Sequence, residues 1–291
     1  MKACAKINLT LDVLGKRSDG YHELSSVMQS VCLHDIILIE KTNGQCIELK
    51  TDCPDLSVGG DNLVYRAAQL LFSEYKIRQG ISIELHKKIP IAAGLAGGSS
   101  DGAATLLGLS DLLELDISQK RMLEIGRKLG ADVPFCLLAG STGSSGTALA
   151  EGIGEQLTPL LSHPEVWIVL ARLPVKVSTK KIFAEWSRNF SSHPRSYDMV
   201  KALETGDVNK IAASLANGLT PVATVLHPEI NKLMAVLWDQ NPIGVNMTGS
   251  GPTVFAYFFK ESAALLAIEN IRQKFSGCDL FCTQPKHVGI V

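Results

Sequence analysis

What this chain lacks narrows it first. No apolar stretch runs the roughly 18 residues that a bilayer crossing needs before a polar residue interrupts it, so no membrane contact is expected. Lys and Arg number 28 against 29 Asp and Glu, a formal net charge of −1, and like charges nowhere gather into a block. That leaves no broad basic field for nucleic acid and no charged tail for a partner; any anion must be held locally. The seven cysteines, at positions 4, 32, 46, 53, 136, 278 and 282, form no C-x-x-C pair, and no histidine stands at zinc-finger spacing. They read as free thiols in a reducing compartment, with Cys278 and Cys282 as packed hydrophobes. No basic-then-apolar leader opens the sequence, and a cytoplasmic location is expected. Several signatures are missing too: G-x-x-x-x-G-K-[ST], a G-x-G-x-x-G entering a βαβ unit, H-R-D, D-F-G and G-x-S-x-G. These absences exclude P-loop, dinucleotide-fold, protein-kinase and serine-hydrolase chemistry.

What is present is a chain of 291 residues, 46% apolar, too long for one modest core. Two lobes are expected, 1–157 and 158–291, parted within "EQLTPLLSHPE". Residues 3–14 alternate: Ala5, Ile7, Leu9, Leu11 and Val13 on one face, Lys6, Asn8, Thr10 and Asp12 on the other. The polar face suits either solvent or the floor of a site. "ELSSVMQSVCL", "DIILIEK" and "CIELKTD" read as further strands of an antiparallel sheet, and "DNLVYRAAQLLFSEY" as a helix capped by Asp61 or Asn62. After "ISIELHKKIP", a strand, comes the densest cluster of small residues. Further on, "SQKRMLEIGRKLG" reads as a helix and "ADVPFCLLAG" as a buried strand. The second half runs strand, several amphipathic helices over 180–240, a strand–turn–strand "IGVNMTGSGPTVFAYFF", the helix "ESAALLAIENIRQKF" and a short strand. Intermixed strands and helices predict an α+β fold.

The cluster "GLAGGSSDGAATLLGL" (94–109) sets glycines and serines against the start of an apolar helix. A helix start leaves backbone N–H groups unpaired and carries part of a positive charge, and glycine lets a phosphate approach that backbone. A phosphate cradle is one reading; a flexible turn with a serine cap is the other.

Here the residues resemble a known family. "GLAGGSSDGAATL" is similar to the central glycine-rich motif of the GHMP small-molecule kinases, "NMTGSGPTVF" (246–255) to their carboxy-terminal glycine motif, and "AKINLTLDVLGKRSDGYHEL" (5–24) to their amino-terminal one. The last, with "GADVPF" (130–135), resembles the branch whose acceptor is cytidine diphosphate methylerythritol, phosphorylated on its 2-hydroxyl in the non-mevalonate isoprenoid route. The resemblance covers nearly the whole chain. It implies a two-lobed fold: an N-terminal lobe with a left-handed βαβ crossover and a C-terminal ferredoxin-like lobe, with the site between them. It implies ATP with Mg2+ as phosphoryl donor and a monomer or weak homodimer.

It also implies roles. Asp132 is the expected base for the acceptor hydroxyl and Lys6 its cationic partner; Asp132 would otherwise read as a helix cap and Lys6 as a solvated strand lysine. The triphosphate loop would comprise Pro90, Ile91, Ala92, Ala93, Gly94, Leu95, Ala96, Gly97, Gly98, Ser99 and Ser100, with Lys88 adding charge, Ser100 as a magnesium ligand, and Asp61 and Asn62 at the adenine. Family loops read G-L-G-G-G-S-S, so Ala96 is a departure, tolerable if its φ stays negative. Asn8 would orient the acceptor, the Tyr21 ring would stack on the cytosine, His22 would hydrogen-bond its polar edge and Phe183 would close the other side, and Thr179, Gly249, Ser250 and Gly251 would approach the same substrate. Two further departures stand out: "STGSS" after Gly140, read as a mobile hairpin tip away from the site, and "NGLTPV" (217–222), where the family pattern predicts an acidic residue. A GHMP kinase for another small alcohol, or a nucleotide-binding sensor of the same fold without turnover, are the competing expectations.

Overall fold

The alternating amino-terminal segment folds as two strands, β1 (Lys2–Asn8) and β2 (Thr10–Lys16), and both of its faces are buried. The computed structural model describes residues 1–141, 143–189 and 195–286. Following β2 come β3 (His22–Thr42), β4 (Ile47–Thr51), α1 (Leu63–Tyr75), β5 (Gly80–His86), α2 (Gly97–Leu112), α3 (Gln119–Arg127), α4 (Val133–Gly140), β6 (Thr147–Gly152) and β7 (Gln156–Pro159). The chain then builds β8 (Trp167–Arg172), α5 (Thr179–Asn189), α6 (Ser196–Thr205), α7 (Val208–Ala213), β9 (Ala216–Asn217), α8 (Thr220–Leu226), α9 (Pro228–Trp238), β10 (Gly244–Met247), β11 (Thr253–Phe258), α10 (Glu261–Lys274) and β12 (Asp279–Thr283).

Strand β3 organises the first sheet. It pairs antiparallel with β1, β2, β5 and β6 along its length, so the two strands expected from "ELSSVMQSVCL" and "DIILIEK" are one continuous strand. Strand β4 runs parallel to β5, not antiparallel as expected, because α1 carries the chain back between them. The second sheet is wholly antiparallel in the order β10-β11-β8-β12. With helices between β8 and β10 and between β11 and β12, this is the split βαββαβ of a ferredoxin-like lobe. The expected lobe boundary after residue 157 falls inside β7.

Three cores hold these layers together. One lies between the first sheet and α1–α4, one between the second sheet and its helices, and the third joins the lobes. In the third, Ala5, Ile7 and Leu9 meet Ile168, Leu170, Phe255 and Tyr257, all at zero exposure. Burying each large side chain there contributes about 2 kcal/mol.

Segment 133–140, expected as a strand, is helix α4. Pro134 fits its first turn, and Phe135, Cys136, Leu137 and Ala139 are buried on every side, so no helical period shows in the sequence. The "STGSS" stretch joins α4 to β6 and is therefore not a hairpin tip; Thr142 lies outside the described residues. None of the helices among the described residues is long and apolar enough to cross a membrane.

Asp12 ties the lobes from the buried polar face. Its Oδ2 accepts from the N–H groups of Arg195 (2.9 Å) and Ser196 (2.8 Å) and from the Ser196 hydroxyl (2.6 Å), capping α6, whose own N-cap residue Arg195 makes no side-chain cap. Three donors converge on a carboxylate at 2% exposure. Asp12→Ala leaves those donors unpaired and is expected to cost about 3 kcal/mol, read as a lower denaturation midpoint at unchanged slope.

Candidate active site

The cleft between the lobes, about 590 Å³, is floored by the polar face of β1. Lys6, at 5% exposure, places its ammonium 3.6 Å from Asp132 Oδ2 and donates to Asn8 Oδ1 at 2.9 Å. Asp132 stands at the N-cap position of α4 but makes no capping bond, which leaves its carboxylate, one-third exposed, facing Lys6 and the cleft. Neither residue has the solvated surroundings that its type alone suggests.

Asn8 is the junction of the site. Its Oδ1 accepts from Lys6 Nζ, from the Gly249 N–H (3.1 Å) and from the Thr248 hydroxyl (3.2 Å), while its Nδ2 donates to Ser26 Oγ (2.8 Å). Ser26 in turn donates to the Thr10 carbonyl. Asn8 lines the cleft at 1% exposure, so its amide is committed to holding Lys6 and the 248–251 turn together. Asn217, in the segment that departs from the family pattern, steadies the same turn by donating to the Met247 and Gly249 carbonyls.

The glycine cluster starts α2. No side chain caps this helix, and Gly97, Gly98 and Ser99 of its first turn line the cleft, which leaves their amides to an anion. Ala96 is the N-cap at φ +55°, opposite in sign to expectation; an L-residue in this region costs about 1–2 kcal/mol that the surrounding packing must offset. Gly94, at φ +75°, has room only for hydrogen, since a Cβ would stand 2.9 Å from the Thr248 carbonyl. The segment before α2 belongs to the first lobe in sequence but docks on the second: Ala93 O accepts from Thr253 Oγ1 (2.6 Å) and Ile91 O from Arg172 Nη2 (3.3 Å).

Most residues of the expected nucleotide set line this cleft: Asp61, Asn62, Pro90, Ile91, Ala92, Ala93, Gly94, Ala96, Gly97, Gly98 and Ser99. Asn62 also caps α1, accepting from the Val64 N–H at 2.9 Å. Three others do not line it. Leu95 is buried in the core between the lobes, and its carbonyl accepts from the Lys6 N–H. Ser100 donates to the Cys4 carbonyl at 2.6 Å, so its hydroxyl is turned away from the cleft where the magnesium ligand was expected. Lys88 is exposed; the lysine of this segment that lines the cleft is Lys87, one place earlier along the chain.

Lys87 is part of a cluster the sequence reading missed. Its ammonium lies 2.5 Å from Asp35 Oδ2 and 2.7 Å from Asp101 Oδ2. Burial works against its charge, but the two carboxylates more than offset this and raise its pKa. The sequence signal for both acids was one aspartate inside an apolar run, "CLHDIILIE" and "SSDGAATLLGL".

Thr179 and Phe183, at the start of α5, line this cleft together with Gly249 and Ser250, and Thr179 shares a hydrogen bond with Ser250 (2.8 Å). With Ala131, Thr179 and Phe183 also line a second cleft of about 900 Å³, in which Tyr21, His22, Lys16 and Lys180 stand. The His22 and Phe183 rings touch, with centroids 4.9 Å apart and planes 34° off parallel. They form one continuous face, and Tyr21, 61% exposed, stands in the same cleft. Burial and Lys16 hold the His22 imidazole below its ordinary pKa, so it is neutral at pH 7.

Two family models match the chain, the GHMP kinases N terminal domain over residues 62–140 and the GHMP kinases C terminal over 199–277. The chain belongs to the GHMP kinases. Its relatives include the 4-diphosphocytidyl-2-C-methyl-D-erythritol kinase of Caldicellulosiruptor bescii, 43% identical over 94% of this chain and 93% of that one. The enzyme of the same name from Acetivibrio thermocellus is 41% identical over 98% of both. Among solved structures, a 4-(cytidine 5'-diphospho)-2C-methyl-D-erythritol kinase superposes with a TM-score of 0.81 at 31% identity, covering 98% of each chain. The homoserine kinase of Cytophaga hutchinsonii, at 0.71 and 21%, shares the fold.

In this GHMP kinase the Asn8 junction is the most exacting feature, since one amide sets both the lysine and the turn. Asn8→Ala is expected to lower kcat by about tenfold to a hundredfold through displacement of Lys6, with a smaller change in KM. Steady-state kinetics beside a melting curve separate this from global unfolding.

Proposed function

We propose that this GHMP kinase transfers the γ-phosphoryl group of ATP to the 2-hydroxyl of 4-diphosphocytidyl-2-C-methyl-D-erythritol. The observation that carries the reading is the Lys6–Asp132 pair at 3.6 Å, set in one cleft between an uncapped helix start and a second, aromatic-walled cleft. Identity above 40% to enzymes bearing that substrate's name, over almost the whole chain, supports the acceptor.

Phosphoryl transfer to an alcohol needs alignment, charge neutralisation and a destination for the hydroxyl proton. Asp132 takes the proton: its carboxylate is open to the cleft and carries no capping bond that would compete. Lys6 holds the acceptor oxygen and steadies the charge that develops on it, and Asn8 keeps its ammonium from rotating away. The first-turn amides of α2 grip the triphosphate, and Asp61 and Asn62 mark the nucleoside end. In the second cleft, the face formed by His22 and Phe183 receives the cytosine, and Lys16 and Lys180 meet the acceptor's diphosphate. Among the described residues no group of three or more His, Cys, Asp or Glu could hold a metal. Magnesium, when bound with ATP, would supply neutralisation of the phosphate charge beside the first-turn amides of α2.

A coupled assay of ADP release tests the assignment. Turnover is expected with the cytidine diphosphate acceptor and not with methylerythritol phosphate, homoserine or mevalonate; equal rates on homoserine would overturn it. Asp132→Asn is expected to reduce kcat by about 10² to 10⁴ while leaving substrate binding near wild type.

A further inference from the structure

Two carboxylates and one ammonium meet at the phosphate end of the cleft, and their formal charges do not balance. Asp35, at zero exposure, is fully engaged: Oδ2 takes Lys87, and Oδ1 accepts from the N–H groups of Lys88 (2.5 Å) and Ile89 (2.8 Å). Both Asp35 oxygens therefore meet donors. Asp101, at 2% exposure, has Lys87 on Oδ2 and, among the described residues, no partner on Oδ1. Were both ionised, the cluster would hold a buried net negative charge beside the amides meant for a triphosphate. Lys87 Nζ stands close to that helix start, 3.3 Å from where a Cβ on Gly97 would lie.

We propose that Asp101 works as a neutral acid and that its proton keeps the phosphate end of the cleft receptive to the nucleotide, which makes it a positioning residue acting through Lys87. This rests on the nucleotide reading above. Electrostatics agrees with the geometry: burial first, and the nearby Asp35 second, outweigh Lys87 and push Asp101 up to about 8. The titratable groups facing Asp101 are Lys87 from the β5–α2 connection, Asp35 from β3 and the Cys136 thiol from α4, which burial raises and which also senses Lys6 and Asp132. Below pH 8 the cluster is neutral and Lys87 is shared. Above it, Asp101 loses its proton and sets an extra negative charge against the phosphates. The sign for stability is the same: a folded-state pKa above the unfolded value favours the fold at low pH, and that contribution is lost as pH rises through about 8.

The test is ADP binding by calorimetry at pH 7 and pH 9 in the wild type, Asp101→Asn and Asp35→Asn, with melting temperatures alongside. Wild-type Kd is expected to rise about tenfold over that interval, as follows when only the neutral acid permits tight binding. Asp101→Asn should keep the pH 7 affinity and lose the alkaline rise. Asp35→Asn leaves Lys87 a single carboxylate, so Asp101 ionises in balance and the alkaline rise should vanish there too, a check that holds if Asp101→Asn does not fold. An infrared carboxylic-acid band present in the wild type at pH 7 and absent in Asp101→Asn would identify the proton directly. The proposal is overturned by an alkaline rise that survives in either variant, by a folded Asp101→Asn that binds ADP tenfold more weakly at pH 7, or by absence of the acid band. Wild type that binds no ADP at either pH fails the nucleotide reading instead, a result distinguishable from all three.

Discussion

A strand whose polar face is buried as completely as its apolar one must find a partner for every polar group it carries. The β1–β2 segment finds them in both lobes. Its apolar residues join the two sheets through Ile7, Leu9, Leu170 and Phe255. Its polar residues are each claimed: Lys6 by Asn8 and Asp132, Asn8 by Ser26 and the 248–249 turn, Thr10 by Ser196, Asp12 by the start of α6. An unpaired amide or carboxylate here would cost several kcal/mol, so packing the lobes and bringing Lys6 to Asp132 are the same event.

The phosphate loop shows the same division of labour. Helix α2 belongs to the first lobe and packs there through Ala103, Leu106 and Leu109, which fixes its start in space. The residues leading into it hang from the second lobe by the Ala93 carbonyl and the Gly94 backbone. The cradle is therefore strung between two rigid bodies, and its left-handed backbone at Ala92, Gly94 and Ala96 is held by anchors at either end.

Charge is handled locally, as a chain with almost no net charge requires. Lys6 faces a carboxylate that is partly open to the cleft, while Lys87, about as buried, has two closed-in carboxylates. The first arrangement leaves a carboxylate that solvent and a small molecule can both reach. The second suits a group that must stay in place beside an anion site.

Much of this was legible in the chain. The alternation of residues 3–14, the helical period of α1, the apolar run of α2 and the turn between β10 and β11 are local patterns, and the motifs around Lys6, Gly94–Ser99 and Asp132 carried the family. Helix α4 was not legible, because burial on all sides erases the polar stripe that marks helical period. Nor was the aim of Ser100, the choice of Lys87 over Lys88, the contact of His22 with Phe183, or the sign of φ at Ala96. Adjacent residues of one type differ in direction, and direction is settled by what packs from elsewhere in the chain. Sequence by itself, through motifs that resemble a family's, named most of the side chains that line the cleft, since a motif is local. Only the tertiary structure decided which of them meet, because meetings such as Asn8 with Gly249 and Lys6 with Asp132 join segments more than a hundred residues apart.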